Sequence, residues 1–398
     1  MSLYSRQTFN NRGPFYESGY AASRSYNVLN VRDNEQHRLW RRIWDQAFKA
    51  SALSEYAPRV ELHVEKFISV LEKINGEEVN CLKPIQNLAY DIMADLGFGR
   101  DIGTQDGEDG SLMEFLRSYL RAVTTIGSLR NLCDMMSILP SGLKSAKSIH
   151  FQKKSIEMLE HRKRMGKSRA DVFTHLLAED TETGTTFSDA ELASNSRLLI
   201  VAGSDTTSTT IACIFRELAL NPSIQQKLYE EVHTAAQGFP VLDSKNTKDL
   251  PYLNGVVKET LRLWNPVPSG AETLTGPEGA TVVGRYIPPN TTIRVHHYAL
   301  MTDDRYFPQG DKFIPERWTD QKMEGVKDIR AWVPFSYGPH ACVGKHLALT
   351  EIRLTVARTV ERFSIELGET YDDELFRKEW KSYVTVVLGD VPVRFKPR

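Results

Sequence analysis

One segment limits the folds open to this chain more than any other: the helix that begins at Asp189. Ser188-Asp-Ala-Glu191 is a capping box, and Phe187 with Leu192 can close a hydrophobic staple around it. The pattern runs to Leu220, where Asn221-Pro222 ends that helix and opens another reaching about residue 236. Helical periodicity also governs residues 33–50, 53–74, 83–97, 112–125, 147–165, 251–264 and 343–362. The helix over 33–50 is amphipathic and strongly basic; that over 147–165 is highly charged and expected to face solvent. From 266 to 300, β-branched residues alternate with Pro, Gly and Asn, which reads as hairpins, and Tyr383–Phe395 returns to strand. Residues 302–341 read as irregular. The expected fold class is mainly α with a minor β-sheet region. No linker divides it, so a single domain over 1–398 is expected, with about 1–31 irregular.

Charge excludes some functions. Lys+Arg number 50 and Asp+Glu 51, a net charge of −1, so nothing points to nucleic acid. Cys81, Cys133, Cys213 and Cys342 are scattered without a C-x-x-C, which suits a reducing compartment and three inert core thiols. There is no run of 18 apolar residues, and the polar N-terminus has no signal-peptide core.

The fourth cysteine is different. Phe335-Ser-Tyr-Gly338-Pro-His340-Ala-Cys342-Val-Gly344 runs straight into a helix. Gly338 and Gly344 let the backbone fold tightly and approach a flat ligand, while the positive helix end favours an anionic sulfur. A thiolate so placed can ligate a metal, act as a nucleophile or join a redox pair. Against these stands the small buried hydrophobe that a lone cysteine more often is.

Three further constellations carry chemistry. The long helix weakens at Ala202-Gly203-Ser204-Asp205-Thr206-Thr207, where glycine and β-branched hydroxyl residues are poor helix formers. Gly203 and Ser204 suit a close helix crossing; alternatively the helix opens locally, and Asp205 with Thr206 offers protons to a buried cavity. Glu259 and Arg262 share one helix face. His37 and Arg41 share another, on the basic helix.

The loop spacing Phe335, Gly338, Cys342, Gly344 resembles the haem-binding loop of the cytochrome P450 family. Ala-Gly-x-Asp-Thr-Thr resembles that family's oxygen-activation motif, and Lys258-Glu-Thr-Leu-Arg262 its Glu-x-x-Arg signature. Pro315-Glu316-Arg317-Trp318 is similar to its Pro-Glu-Arg segment, and His37 with Arg41 to a pair that binds a haem propionate. These motifs stand in the family's order over residues 32–398, and the resemblance is closest to fungal, microsomal-type members.

The resemblance implies haem b, with Cys342 as iron ligand and His37, Arg41, Phe335, Gly338, His340 and Gly344 around it. It implies proton delivery by Asp205 and Thr206, and a buried network of Glu259, Arg262 and Arg317 that positions the cysteine loop. Insertion of one oxygen atom of O2 into a lipophilic small molecule follows, in fungal secondary or xenobiotic metabolism. Substrate-contacting stretches are implied at 114–140, Leu198–Thr206, Val267–Leu274 and Ser382-Tyr383. With no flavin-binding segment in the chain, electrons come from an NADPH-dependent P450 reductase. Arg38, Arg42, Lys345 and Arg353 are expected to form its docking face. A monomer is expected, at the endoplasmic reticulum surface by resemblance, or in the cytoplasm if no anchor accompanies the chain.

Three departures stand against the family pattern. His340 occupies a position where an arginine commonly pairs with a propionate. Thr273 occupies another such position, on the strand after the Glu-x-x-Arg helix. The family's membrane anchor, first helix and early sheet strands have no evident counterpart before about Phe15. Two alternatives follow: a truncated, catalytically incompetent relative, or a P450-fold isomerase or dehydratase acting without reductase.

Overall fold

The computed structural model describes residues 11–17, 25–107, 146–166, 169–239, 241–319 and 325–398. The expected helix over 112–125, the substrate stretch 114–140 and Cys133 lie outside them. The helices are α1 (Asn34–Ala47), α2 (Ala50–Ile74), α3 (Leu82–Phe98), α4 (Ala146–Arg164), α5 (Val172–Leu176), α6 (Asp189–Leu220), α7 (Pro222–Ala236), α8 (Pro251–Leu263), α9 (His297–Met301), α10 (Lys345–Arg362) and α11 (Asp373–Glu379). The fold is mainly α with small sheets, as the sequence implied.

Helix α6 is the spine. Its capping box forms: the Ser188 hydroxyl accepts from Glu191 N while the Glu191 carboxylate accepts from Ser188 N. By composition α6 is apolar enough to cross a membrane, but 72% of that window is buried inside the protein. Helix α3 crosses it closely. A Cβ at Gly203 would collide with Met93, and one at Gly97 would lie 2.9 Å from Leu199 Cδ2. Gly203 therefore belongs to the crossing. The helix does not open at Asp205-Thr206: it is continuous α through that stretch, and Thr206 Oγ1 donates to Ala202 O at 2.8 Å. A hydroxyl that can bond its own preceding turn removes the need for a break.

Helix α4 departs from the solvent-facing expectation. Met158 and Leu159 are buried, and Arg162 forms a fully buried ion pair with Asp171, the N-cap of α5, at 2.7 Å. Charge alone misled here, because a cation that finds a bidentate carboxylate can be buried.

The strands form two three-stranded antiparallel sheets and two hairpins. In one sheet β3 (Glu272–Leu274) lies between β1 (Asn11–Arg12) and β6 (Thr292–Arg294). In the other β10 (Pro392–Pro397) lies between β2 (Glu78–Asn80) and β7 (Phe363–Leu367). The hairpins pair β4 (Ala280–Val282) with β5 (Arg285–Ile287), and β8 (Lys381–Ser382) with β9 (Val386–Val387). Strand β1 corrects the expectation that no early strand precedes Phe15. Two residues bounded by a polar stretch give no periodicity to read. The core runs from α6 to the second sheet, where Phe215, Phe363 and Phe395 meet edge to face.

Candidate haem-thiolate site

The cysteine loop is tied down from inside. Cys342 N donates to Phe335 O at 2.9 Å, Ala341 N to Gly338 O at 3.0 Å, and Ser336 N to Val333 O at 3.0 Å. Gly338 has φ +80°, a conformation that costs a side chain energy, so glycine is required there. Gly344 differs from its expected role. Its φ is −78°, and a Cβ would make ordinary contacts with Phe48 and, at 4.0 Å, the Cys342 sulfur. Its contribution is to cap α10 and leave space beside the sulfur.

The Cys342 residue is exposed, while its sulfur is crowded by protein. Burial raises its thiol pKa. The Gly344 N–H, the Arg41 charge, and then the N–H and charge of Lys345 oppose the rise without cancelling it. The N–H groups at the helix start do favour the anion, but burial of the sulfur outweighs them. A metal bound at this sulfur would reverse the balance, because coordination favours the thiolate.

Helix α1 docks on the loop's other side. Arg41 Nη1 donates to Ala341 O at 2.6 Å and Pro339 O at 3.2 Å, while its Nε pairs with Asp45 at 2.8 Å. His37 Nε2 lies 3.0 Å from His340 Nδ1, their rings 4.0 Å apart. Burial, then the charges of Arg12 and Arg41, hold the His37 pKa down at about 4, so it is neutral at pH 7. The structure thus gathers His37, Arg41, His340 and Cys342.

The third side is the charged network, formed as expected. Glu259 accepts from Arg262 Nη2 (2.8 Å) and Nε (2.9 Å), from Arg317 Nε (2.9 Å) and from Ile314 N (2.9 Å). Trp318 Nε1 adds a bond at 2.8 Å that sequence reasoning missed. The remaining guanidinium protons go to carbonyls of Met301, Gly310, Lys312, Pro308 and Gly325. From Trp318 a chain of aromatic contacts runs through Trp332 to Phe335, at 5.8 and 6.4 Å between centroids. That is a physical path from network to loop.

Asp205 and Thr206 sit on α6 in different settings. Asp205 is buried and accepts a hydrogen bond from Thr385 Oγ1, another partner the sequence did not suggest. Thr206 is half-buried, and Leu198, Ala202 and Thr206 make a part-exposed i, i+4, i+8 stripe in the middle of a mostly buried helix. Nearby, Val386 N donates to Pro266 O at 2.8 Å, and the hydroxyls of Ser269 and Ser382 lie 3.3 Å apart. The Ser269–Ser382 contact links two of the expected substrate stretches.

The docking face is only partly as expected. Arg38 pairs with Glu35, and Arg42 with Asp180 and Glu182. Lys345 and Arg353 instead crowd Lys258, whose pKa falls through burial and then their two charges.

A helical fold with a cysteine loop at a helix start, a Glu-Arg-Arg network behind it and a part-exposed mid-helix stripe defines a haem-thiolate protein. Comparison with known proteins agrees. The Cytochrome P450 family model matches residues 3–396. Cytochrome P450 67 of Uromyces fabae is 32% identical over 97% of this chain and 74% of its own length. Cytochrome P450 monooxygenase orf5 of Eupenicillium brefeldianum is 32% identical over 100% of this chain and 79% of its own. The P450DA haem domain superposes with a TM-score of 0.85 at 21% identity, over 100% of this chain and 85% of that one. The chain belongs to the cytochrome P450 family, so haem is its cofactor and monooxygenation its class of chemistry.

The residues present fit that cofactor. The sulfur is crowded by protein with N–H groups that favour its anion, a part-exposed stripe runs along the middle of α6, and a buried guanidinium beside His37 has no carboxylate partner among the described residues.

Proposed function

We propose that Cys342 ligates the haem iron in a monooxygenase of fungal secondary metabolism that acts on a lipophilic small molecule. The observation that carries this is the sulfur's setting at a helix start, crowded by protein, with the backbone N–H groups of Gly344 and Lys345 favouring its anionic form. Haem supplies the oxygen chemistry, and thiolate ligation favours O–O cleavage. The chain's residues hold and feed it. Gly344 and Lys345 N–H temper the sulfur's charge. His37, Arg41 and His340 border the propionate side. Phe335 packs behind the loop, Gly338 makes its turn, and Gly344 clears the sulfur.

Thr206 Oγ1 holds a proton at the part-exposed stripe, lent meanwhile to Ala202 O. Asp205 behind it can resupply that proton once it turns from Thr385. The linked segments 266–269 and 382–386 wall the substrate cavity. We read the chain as one domain, reduced by an NADPH-dependent reductase at the endoplasmic reticulum surface. Fungal relatives named as monooxygenases support the pathway class.

The test is the difference spectrum of the haem-loaded, reduced protein exposed to carbon monoxide. A red-shifted Soret band lost in Cys342→Ser supports thiolate ligation. A band of neutral ligation in the parent chain would refute it and favour the incompetent relative.

A further inference from the structure

The chain contains two Asn-Gly steps, Asn75-Gly76 and Asn254-Gly255, and the fold treats them oppositely. Asn254 lies inside α8, its N–H bonded to Leu250 O at 3.0 Å and its side-chain amide to Lys248 O and Leu250 O, each at 2.8 Å. Gly255 beside it is buried, and a Cβ there would lie 2.8 Å from Pro315 O. Asn75 instead ends α2, exposed and left-handed at φ 52° and ψ 44°. Asparagine is one of the few residues that stops a helix this way. Its own N–H takes the last carbonyls, Glu72 O at 3.1 Å and Leu71 O at 3.3 Å. In a Schellman cap the next N–H would share that task. Here that N–H, on Gly76, has no acceptor among the described residues, and the Asn75 side-chain amide has no partner among them either.

A free backbone nitrogen thus stands next to an untethered side-chain amide. Gly76 has φ 76° and no Cβ to shield that nitrogen, and a Cβ built there would meet Phe395 O only at 3.8 Å, so the turn has room. The backbone bond across the turn runs from Glu77 N to Ile74 O at 3.1 Å and leaves Asn75 ψ free to swing the two groups together. We propose that Asn75 is a site of spontaneous modification, converting through a succinimide to aspartate and isoaspartate with water as co-reactant. Gly76 N loses its proton to solvent and bonds to Asn75 Cγ; the Cγ–Nδ2 bond breaks and ammonia leaves with a proton. Water then opens the ring, its hydroxyl going to one of the two carbonyl carbons and its hydrogen to the nitrogen. Opening at the side-chain carbonyl gives aspartate. Opening at the main-chain carbonyl routes the backbone through Cβ and Cγ, which lengthens it by one carbon. Either product adds negative charge at the C-terminal end of α2, where Glu72 and Glu77 stand and the helix dipole is already negative. Just beyond, β2 starts at Glu78, which accepts from Glu369 N at 2.6 Å and Thr370 N at 3.2 Å and pairs with Arg394 at 3.2 Å. The lengthened isoaspartyl backbone should therefore loosen β2 from β10.

The experiment ages the purified full-length chain in mildly alkaline buffer made with heavy-oxygen water, then maps its peptides by mass spectrometry, separating aspartate from isoaspartate by fragmentation. The peptide holding Asn75 should convert, gain one heavy oxygen and contain both products, while the peptide holding Asn254 stays intact. In denaturant both should convert at similar rates, since only the fold distinguishes them. Gly76→Ala puts a Cβ beside the attacking nitrogen and should slow conversion about tenfold, equivalent to about 1.4 kcal/mol on the barrier. Asn75→Gln would have to close a larger ring, so its side-chain amide should survive; it replaces the alanine variant if a side chain at positive φ disturbs folding. An intact Asn75 in the folded chain, with conversion in the denatured one, would overturn the proposal. So would equal conversion of Asn254 in the folded chain, or product free of isoaspartate, which signals direct hydrolysis. The isoaspartyl fraction should unfold at lower denaturant than Asn75→Asp, which carries the charge on an ordinary backbone; equal midpoints would overturn the effect on β2.

Discussion

The carboxylate of Asp205, in the middle of α6, accepts a hydrogen bond from the hydroxyl of Thr385, the residue just before β9. This bond ties the helix that carries the proposed proton donors to the hairpin proposed to border the substrate. On the proposed function, proton supply and substrate occupancy would share one latch, because Asp205 would have to leave Thr385 to serve Thr206.

Thr385→Val should therefore act on coupling. The buried Asp205 loses a partner, costing about 1–3 kcal/mol of stability in thermal unfolding. Thr206→Ala removes the hydroxyl itself, and electron consumption should continue while product per NADPH drops several-fold. Thr385→Val should change that ratio by a smaller factor. Unchanged product yield in Thr206→Ala would argue for peroxide rearrangement.

Glu259 holds two buried guanidinium groups. Glu259→Gln leaves both without a counter-charge and should cost about 3–5 kcal/mol, read by denaturant unfolding. Because Trp318, Trp332 and Phe335 link this network to the cysteine loop, the variant should also incorporate less haem. Full haem content with lowered stability would restrict the network to a global structural role.

Legibility from sequence followed the length scale of each signal. Helix α6 and its cap are set by contiguous residues, and so were readable to the residue. So was the Glu259–Arg262 pair. Strand β1 was not: two residues carry no period, and their pairing with β3 depends on a contact 261 positions away. The same reason hid Thr385 beside Asp205 and Trp318 beside Glu259. Composition failed for α4, where Arg162 is buried because Asp171 meets it. The Cys342 loop was legible as a motif; the desolvation that raises its thiol pKa depends on surrounding elements.

Two buried groups set opposing pH slopes. Burial holds His297 at about 4, against an ordinary 6.5. Its contribution to stability is fully present above pH 6.5 and falls away as pH drops toward 4, by up to about 3 kcal/mol. Burial pushes Glu351 up to about 8 from 4.5, so the unfolded chain ionises first and stability declines as pH rises from 4.5 to 8. Unfolding free energies of Glu351→Gln should lose that decline, making the variant relatively more stable at pH 8 than at pH 5. His297→Gln should flatten the acid limb. Parallel pH profiles in variant and parent would place both titrations outside the folding equilibrium.

The last prediction concerns electrons. Arg42 was a candidate for the reductase-docking face, yet Asp180 and Glu182 already neutralise it. Lys258, Lys345 and Arg353 lie close enough to repel one another, beside the helix that starts after Cys342, and among the described residues none has a carboxylate within ion-pairing distance. Unmatched charge is what steers an acidic partner, raising association rates about tenfold or more at low salt. Lys345→Glu should therefore slow reduction by the reductase and weaken its salt dependence, whereas Arg42→Glu should alter both far less. Stopped-flow reduction across ionic strength separates the two. Equal sensitivity at Arg42 and Lys345 would mean that the partner opens the Asp180 and Glu182 pairs on docking, and that the patch around Lys258 has no special claim to it.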